Sequence, residues 1–374
     1  MQKKYHTPEF LRTIPHIRPR TPFNSALLRF RSQIVAELTK FFADRDFTQT
    51  HPPVITSSDC EGAGQVFSLE TEEKGRITDD SDGSFFRSPK YLTVSSQLHL
   101  EALAQAVGKV WTLSPTFRAE KSDTSRHLSE FYMLEAEVNF VQEMREVMNL
   151  VEDMIRHVTQ NLYRARVGQE ILHGKRAGDQ GDDAIARTEE LERRWKGMMG
   201  GPWPTVSYSE AIHLLESQAQ RFEHAPRWGK GLQAEHERFL AHTIGGGQPV
   251  FVTNYPKAIK PFYMLESQWD ADQQTVDCFD LLVPEVCEIA GGSMREHRLP
   301  QLLSTMQDRG MVPPDPSFEK DLGSLKWYVD LRRWGSVPHG GFGLGFDRLL
   351  GYLSGVPNIR EVVTFPRWVG RCDC

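Results

Sequence analysis

The chain has 374 residues, 44 of them basic and 50 acidic for a formal net charge of −6, with 39% hydrophobic and 25% charged residues. At about 150 residues per domain this length allows two domains or one large α/β or α+β domain, and the composition is that of a globular chain with a sizeable core. The acidic balance excludes a protein whose whole surface grips nucleic acid, and no apolar run approaches the roughly 20 residues needed to cross a bilayer.

Residues 1–24 are polar and hold Pro8, Pro15, Pro19 and Pro22. They read as an extended arm or hinge whose Lys3, Lys4, Arg12, Arg18 and Arg20 face a polyanion or solvent. The first residues lack the apolar core of a signal peptide. Five cysteines, Cys60, Cys278, Cys287, Cys372 and Cys374, form neither a zinc spacing nor a disulfide framework. A reducing, cytosol-like compartment is expected. The Cys372/Cys374 tail is either a soft-metal pair or a frayed end.

From residue 25 to 42 the apolar positions Leu27, Leu28, Ile34, Val35, Leu38 and Phe41 recur at helical spacing. Residues 45–56 turn β-like, and 71–84 read as an exposed loop rich in charge and glycine. A strand is predicted over 91–94 and a helix over 97–106. Strands over 110–117 and 131–140 enclose a charged loop, 118–130. An amphipathic helix follows over 142–167, a polar helical insertion over 168–204, and a helix over 209–217. Segments 249–254, 261–265 and 276–283 look like strands of one sheet, 299–309 like a helix. A glycine-rich strand, 339–345, runs into a closing helix, 346–353. The order of strands and helices predicts an α+β fold with an antiparallel sheet.

Three segments carry chemistry. Residues 110–138 hold Arg118, Glu120, Lys121, Arg126, His127 and Glu130 in the loop, with Phe131 and Glu135 four apart on one face of the return strand. A cation, an aromatic plate and a carboxylate on one face suit a nucleotide beside a small amine; a solvated hairpin tip is the plainer reading of such a loop. In residues 339–355, Gly340, Gly341, Gly343 and Gly345 leave a strand bare, for a planar ligand or for tight packing. Arg348 sits in the next helix's first turn, where free amides favour anions. In residues 278–298, Asp280 and Glu288 bracket an apolar strand turn and offer hard oxygen ligands suited to Mg²⁺ on a triphosphate. Arg295, after Gly291-Gly292-Ser293, presents a planar donor fork.

The strings FRAE and RHLSEF resemble motif 2 of class II aminoacyl-tRNA synthetases, GFGLGFDR resembles motif 3, and FFADRDFTQTHPPVIT resembles motif 1. SDCEGAGQVF, YLTVSSQLHLEAL, HLSEFYMLEAEV, WGKGLQAEHER, TNYPKAIKPFYM, GGSMRE and LRRWGSVPHGGFGLGF are similar, in order, to asparaginyl-tRNA synthetases. The match runs from about Leu11 to Arg367. The resemblance implies a class II synthetase core, an antiparallel β-sheet flanked by helices with a small helical insertion. It divides the chain into a hinge remnant, 1–24, and a catalytic domain, 25–374.

It further implies the cofactors ATP and Mg²⁺ and assigns roles to residues. Arg118 and Arg348 are the catalytic arginines. Arg118, Glu120, Arg126, His127, Phe131, Glu288 and Arg348 bind ATP, and Asp280 and Glu288 hold the metal. Glu61, Gln97, Glu101, Glu135 and Arg295 receive the amino acid. Aspartyl enzymes place a lysine three residues after the equivalent of Gln97; Leu100 stands here, followed by Glu101, which favours asparagine over aspartate. Motif 1 implies a homodimer.

This sequence departs from the pattern in places. The ten residues before Leu11 leave no room for the family's anticodon-reading OB-fold domain, so the implied acyl acceptor is tRNA gripped by the core, or a non-tRNA nucleophile such as a small amine. An aspartate-activating asparagine synthetase-like enzyme and a non-catalytic paralogue are the other readings. Glu285 and Cys287 replace small or neutral residues, glycine at the second; Cys287 is a reactive thiol or a buried filler. Trp334 replaces a tyrosine and Ser96 a glycine.

Overall fold

The structure is a computed structural model that describes residues 6–57, 66–70, 85–174, 176, 182–267, 273–314, 316–318 and 320–373. The predicted loop 71–84, together with Cys60, Glu61 and Cys374, lies outside the described residues.

The chain opens with the short helix α1 (Pro8–Arg12) and a 3₁₀ turn, then enters α2 (Pro22–Ala43). Thr21 caps α2 and Pro22 stands at its first position, where no amide hydrogen is needed. Two short strands, β1 (Thr48–Gln49) and β2 (Ile55–Thr56), precede β3 (Tyr91–Leu92) and α3 (Gln97–Val107). The long hairpin is β4 (Lys109–Phe117) and β5 (Glu130–Asn139), followed by α4 (Met144–Arg164), α5 (Arg166–His173) and α6 (Asp182–Met199). Next come β6 (Thr205–Ser207), α7 (Tyr208–Glu216), α8 (Ala234–Thr243), β7 (Val250–Thr253), β8 (Cys278–Val283) and β9 (Cys287–Met294). The chain closes with α9 (Leu299–Asp308), α10 (Lys326–Arg333), β10 (His339–Gly345), α11 (Phe346–Ser354) and α12 (Ile359–Val362).

Eight strands form one sheet in the order β1-β4-β5-β10-β9-β8-β7-β6. Its centre is antiparallel; only the edge pairs β1–β4 and β6–β7 run parallel. One face packs on α2, α4, α5, α6 and α11, where Phe42 stacks on Trp111 with ring centroids 4.7 Å apart. The α+β architecture is as the sequence order predicts.

Some elements differ from expectation. The helix over 142–167 breaks at Ala165, whose backbone is extended. The break brings Gly168 so near the Leu162 carbonyl that any side chain at 168 would overlap it. The described residues of the helical insertion, 168–204, pack against the main core. Ile171, Leu191, Trp195, Met198 and Trp203 are buried there, and Trp195 donates its indole hydrogen to the Leu353 carbonyl at 2.7 Å. The arm likewise packs down, with the buried Arg18 donating to the carbonyls of Arg360, Val363 and Thr364. Residues 261–265 are a turn joined to β9's end by one bridge, Met264 to Arg295, not a strand.

Candidate active site

Alternation along the strands decides what faces away from the helices. On β5 the even positions Leu134, Ala136 and Val138 enter the core, so Phe131, Met133, Glu135 and Glu137 face the other way. Register then builds rows across the sheet. One row runs Glu135–Gly343–Gly291–Asp280, the next Glu137–Gly341–Ser293–Cys278. Two bare glycines thus separate Glu135 from Asp280, three strand spacings or about 14 Å, and floor an open trough.

The acid pair at the far end depends on an irregularity. Strict alternation from Gly291 would send Glu288 into the core, but the register shifts between Leu281 and Leu282, so that Leu282 faces Glu288. The extra residue turns Glu288 onto the trough side. A Cβ placed on Gly291 would lie 3.2 Å from Asp280 Oδ1 and 3.5 Å from Glu288 Oε1. The glycine keeps open a cradle between two carboxylates, and that donor set fits a hard divalent cation. Burial raises the pKa of Asp280, while Lys260, 2.9 and 2.8 Å from its two oxygens, opposes the rise.

Basic groups gather at the loop between β4 and β5. The Arg118 guanidinium lies 5.6 Å from the centre of the Phe131 ring. Arg348, from the first turn of α11, donates to the Glu288 carbonyl at 2.8 Å, and its stem covers Gly345. Arg126 reaches Glu237 of α8 at 3.5 Å, and His127 meets Glu120 at 3.4 Å. Burial lowers the pKa of His127, Glu120 opposes this, and the charges of Arg348, Arg126 and Arg118 lower it further. Three guanidinium groups acting on one imidazole mark a region built for several negative charges.

Glu135 lies at the other end. Ser95 Oγ donates to its carboxylate, and the Ser96 amide approaches both oxygens at 3.0 and 2.9 Å. Beside it Arg295 donates Nε and Nη2 to the two oxygens of Glu137, both at 3.0 Å, and Nη1 to Ser293. Gly341 is required here, since a side chain would overlap the Glu137 carboxylate. Gln97 donates to Glu101 at 3.3 Å. Glu101 is fully buried, held by Arg332 at 2.6 Å, Tyr328 at 2.8 Å and His339 at 3.1 Å, and its carboxylate lies within 4.8 Å of that of Glu137.

Of the residues singled out in the sequence, Arg118, Glu120, Arg126, His127, Phe131, Glu288 and Arg348 gather at one end and Glu135, Gln97 and Arg295 at the other, while Glu61 lies outside the described residues. Sequence reasoning missed Glu137, Glu237, Lys260 and Arg332. Glu137 was within reach, because it continues the period of two that placed Phe131 and Glu135. The others sit on separate elements with no local signal. Cys287 is the filler: its thiol points at the Ala234 carbonyl, 3.4 Å away, and burial raises its pKa.

Residues 8–369 match a family described as tRNA synthetases class II (D, K and N). The chain is similar to a mitochondrial asparagine–tRNA ligase of Saccharomyces cerevisiae, 43% identical over 98% of this chain and 73% of that one. It is 42% identical to an asparagine–tRNA ligase of Desulfotalea psychrophila, covering 100% of this chain and 76% of the other. Among solved structures it resembles asparaginyl-tRNA synthetase from Pyrococcus horikoshii complexed with asparaginyl-adenylate, with a TM-score of 0.80 and 32% identity over 98% of this chain and 74% of that one. Among the described residues no helix is long and apolar enough to cross a membrane.

Proposed function

The chain belongs to the class II tRNA synthetases (D, K and N), and from that premise we propose that it joins asparagine to tRNA through an asparaginyl-adenylate made from ATP. The observation that carries this reading is the glycine-floored trough, with arginines and Phe131 at one end and a carboxylate plus an Arg–Glu pair at the other.

The chemistry follows from the placement. An asparagine carboxylate oxygen attacks the α-phosphorus; the new O–P bond forms as the bond to pyrophosphate breaks, and pyrophosphate carries off the electron pair. No covalent group of the protein is required. Holding both reactants in line supplies much of the acceleration, and fixed guanidinium groups offset the growing charge. Arg118 is placed to donate to the α-phosphate, Arg348 to the departing phosphates, and Phe131 to stack on the base. Asp280 and Glu288 would hold Mg²⁺, which supplies charge neutralisation to the triphosphate when bound. In the second half-reaction a terminal ribose hydroxyl of tRNA attacks the acyl carbonyl and AMP leaves.

Glu135 is placed to receive the substrate ammonium. The Arg295–Glu137 pair sets a donor beside an acceptor, as a carboxamide needs: its carbonyl accepts from Arg295 and its NH₂ donates to Glu137. A carboxylate would turn its second oxygen toward Glu137 and be repelled. Leu100 adds no cation, being buried against Ala104 and Val110. Asparagine is therefore the substrate of this reading, and tRNA the acceptor, as in the similar ligases.

Pyrophosphate exchange tests it. Exchange should depend on asparagine and be far weaker with aspartate, and the same sample should charge tRNA and sediment as two chains. Absence of exchange with every amino acid would overturn the enzyme reading; exchange without charging would move the acceptor to a small amine or ammonia.

A further inference from the structure

Lys260 follows a 3₁₀ turn in the stretch between β7 and β8, and its Nζ sits 2.9 and 2.8 Å from the two oxygens of Asp280. Several contacts fix it there. The Tyr255 ring centre lies 3.9 Å from the ammonium, and the Tyr255 hydroxyl bonds Asp280. Arg309 donates to the carbonyls of both Lys257 and Lys260, pinning the turn to α9. Burial works to lower the Lys260 pKa, yet the Asp280 charge carries it above the ordinary lysine value.

A bidentate ammonium on a metal-binding carboxylate is a competitor for the metal. A divalent ion needs at least one of the oxygens that Lys260 holds, and the two cations repel across a partly buried site where screening is weak. Without the Lys260 charge, Asp280 and Glu288 would repel over Gly291, with Arg348, 3.9 Å from Glu288, as the remaining counter-charge.

We propose that Lys260 is a resident counter-ion of Asp280, a positioning residue that keeps the acid pair aimed at the trough and holds the site at low metal affinity until the triphosphate brings the ion with it. The proposal rests on the reading that Asp280 and Glu288 hold Mg²⁺. Its consequence is an order of loading: nucleotide charge displaces part of the Lys260 contact, and the ion enters as the ATP complex rather than before it.

Mn²⁺, counted by the loss of its free electron-paramagnetic signal, is the probe. Lys260→Met keeps the stem and removes the charge, so the full chain carrying it should bind Mn²⁺ without nucleotide more tightly than the parent, on the order of tenfold. Lys260→Arg, which keeps a cation, should stay at the parent's affinity. Circular dichroism checks that both variants are folded. A folded Lys260→Met with unchanged or weaker nucleotide-free Mn²⁺ binding overturns the proposal. Asp280→Asn separates the two failures: it should weaken Mn²⁺ binding in the presence of ATP, and if it does not, the metal assignment itself is wrong.

Discussion

The two ends of the trough are built on opposite plans. At the amino-acid end, Glu101, Glu137, Arg295, Arg332 and His339 are buried and bonded to one another, with Arg332–Glu101 and Arg295–Glu137 almost wholly out of solvent. At the phosphate end, apart from Lys260–Asp280 at 2.8 Å, the pairs are partly exposed and loosely met: Arg126–Glu237 at 3.5 Å, His127–Glu120 at 3.4 Å, Arg348–Glu288 at 3.9 Å. A saturated buried network fixes positions closely, because any displaced member leaves an unpaired charge in a low-dielectric layer. A loose cationic rim keeps its donors available for a ligand that brings several charges of its own. Telling an amide from an acid needs the first plan; accepting a triphosphate needs the second.

That contrast can be broken most sharply by Arg332→Met. Removing one partner strands Glu101 among Tyr328 and His339, so unfolding in urea should show a loss of about 3–5 kcal/mol. A loss below about 1 kcal/mol would mean the network is not the rigid layer described. Arg118→Ala is the counterpart at the loose end. It should lower kcat for pyrophosphate exchange by about 10²–10³-fold, roughly 3–4 kcal/mol, while leaving the melting temperature near the parent's.

A smaller effect comes from Glu237, between the two plans. Burial first, then the nearby Glu288, raises its pKa from 4.5 to about 7. Between those values the folded chain holds a proton that the unfolded chain has released. Stability should therefore fall as pH rises through this window, by on the order of 3 kcal/mol, and the penalty should be complete about one pH unit above the folded-state value. Urea unfolding at pH 5 and pH 8, compared between parent and Glu237→Gln, reads the difference; the variant should lose that part of the slope.

Much of the trough was legible because its strongest cues are local. Phe131 and Glu135 share a face by a period of two, the bare strand at 339–345 announces close approach, and the helix at its end carries Arg348 in its first turn. The strand expected over 261–265 was misplaced for an equally local reason: Phe262, Tyr263 and Met264 have strand-like composition, yet their packing partners are Leu302, Tyr328 and neighbours beyond the sheet. The α4–α5 break was missed because the extended residue is an alanine, and the glycine that permits the turn lies three positions later.

The sequence by itself determined most of the elements, though not α8, α10 or the α4–α5 break, together with the antiparallel class and the chemical types that line the trough, since helix and strand periods are written in neighbouring residues. Tertiary structure alone decided which charges meet. Arg295 finds Glu137 158 positions away and Arg332 finds Glu101 231 positions away, through strand pairings and helix packing that no local period encodes. It also decided that Glu288 belongs to the trough at all, because one extra residue in β9 reverses the face that alternation would have given it.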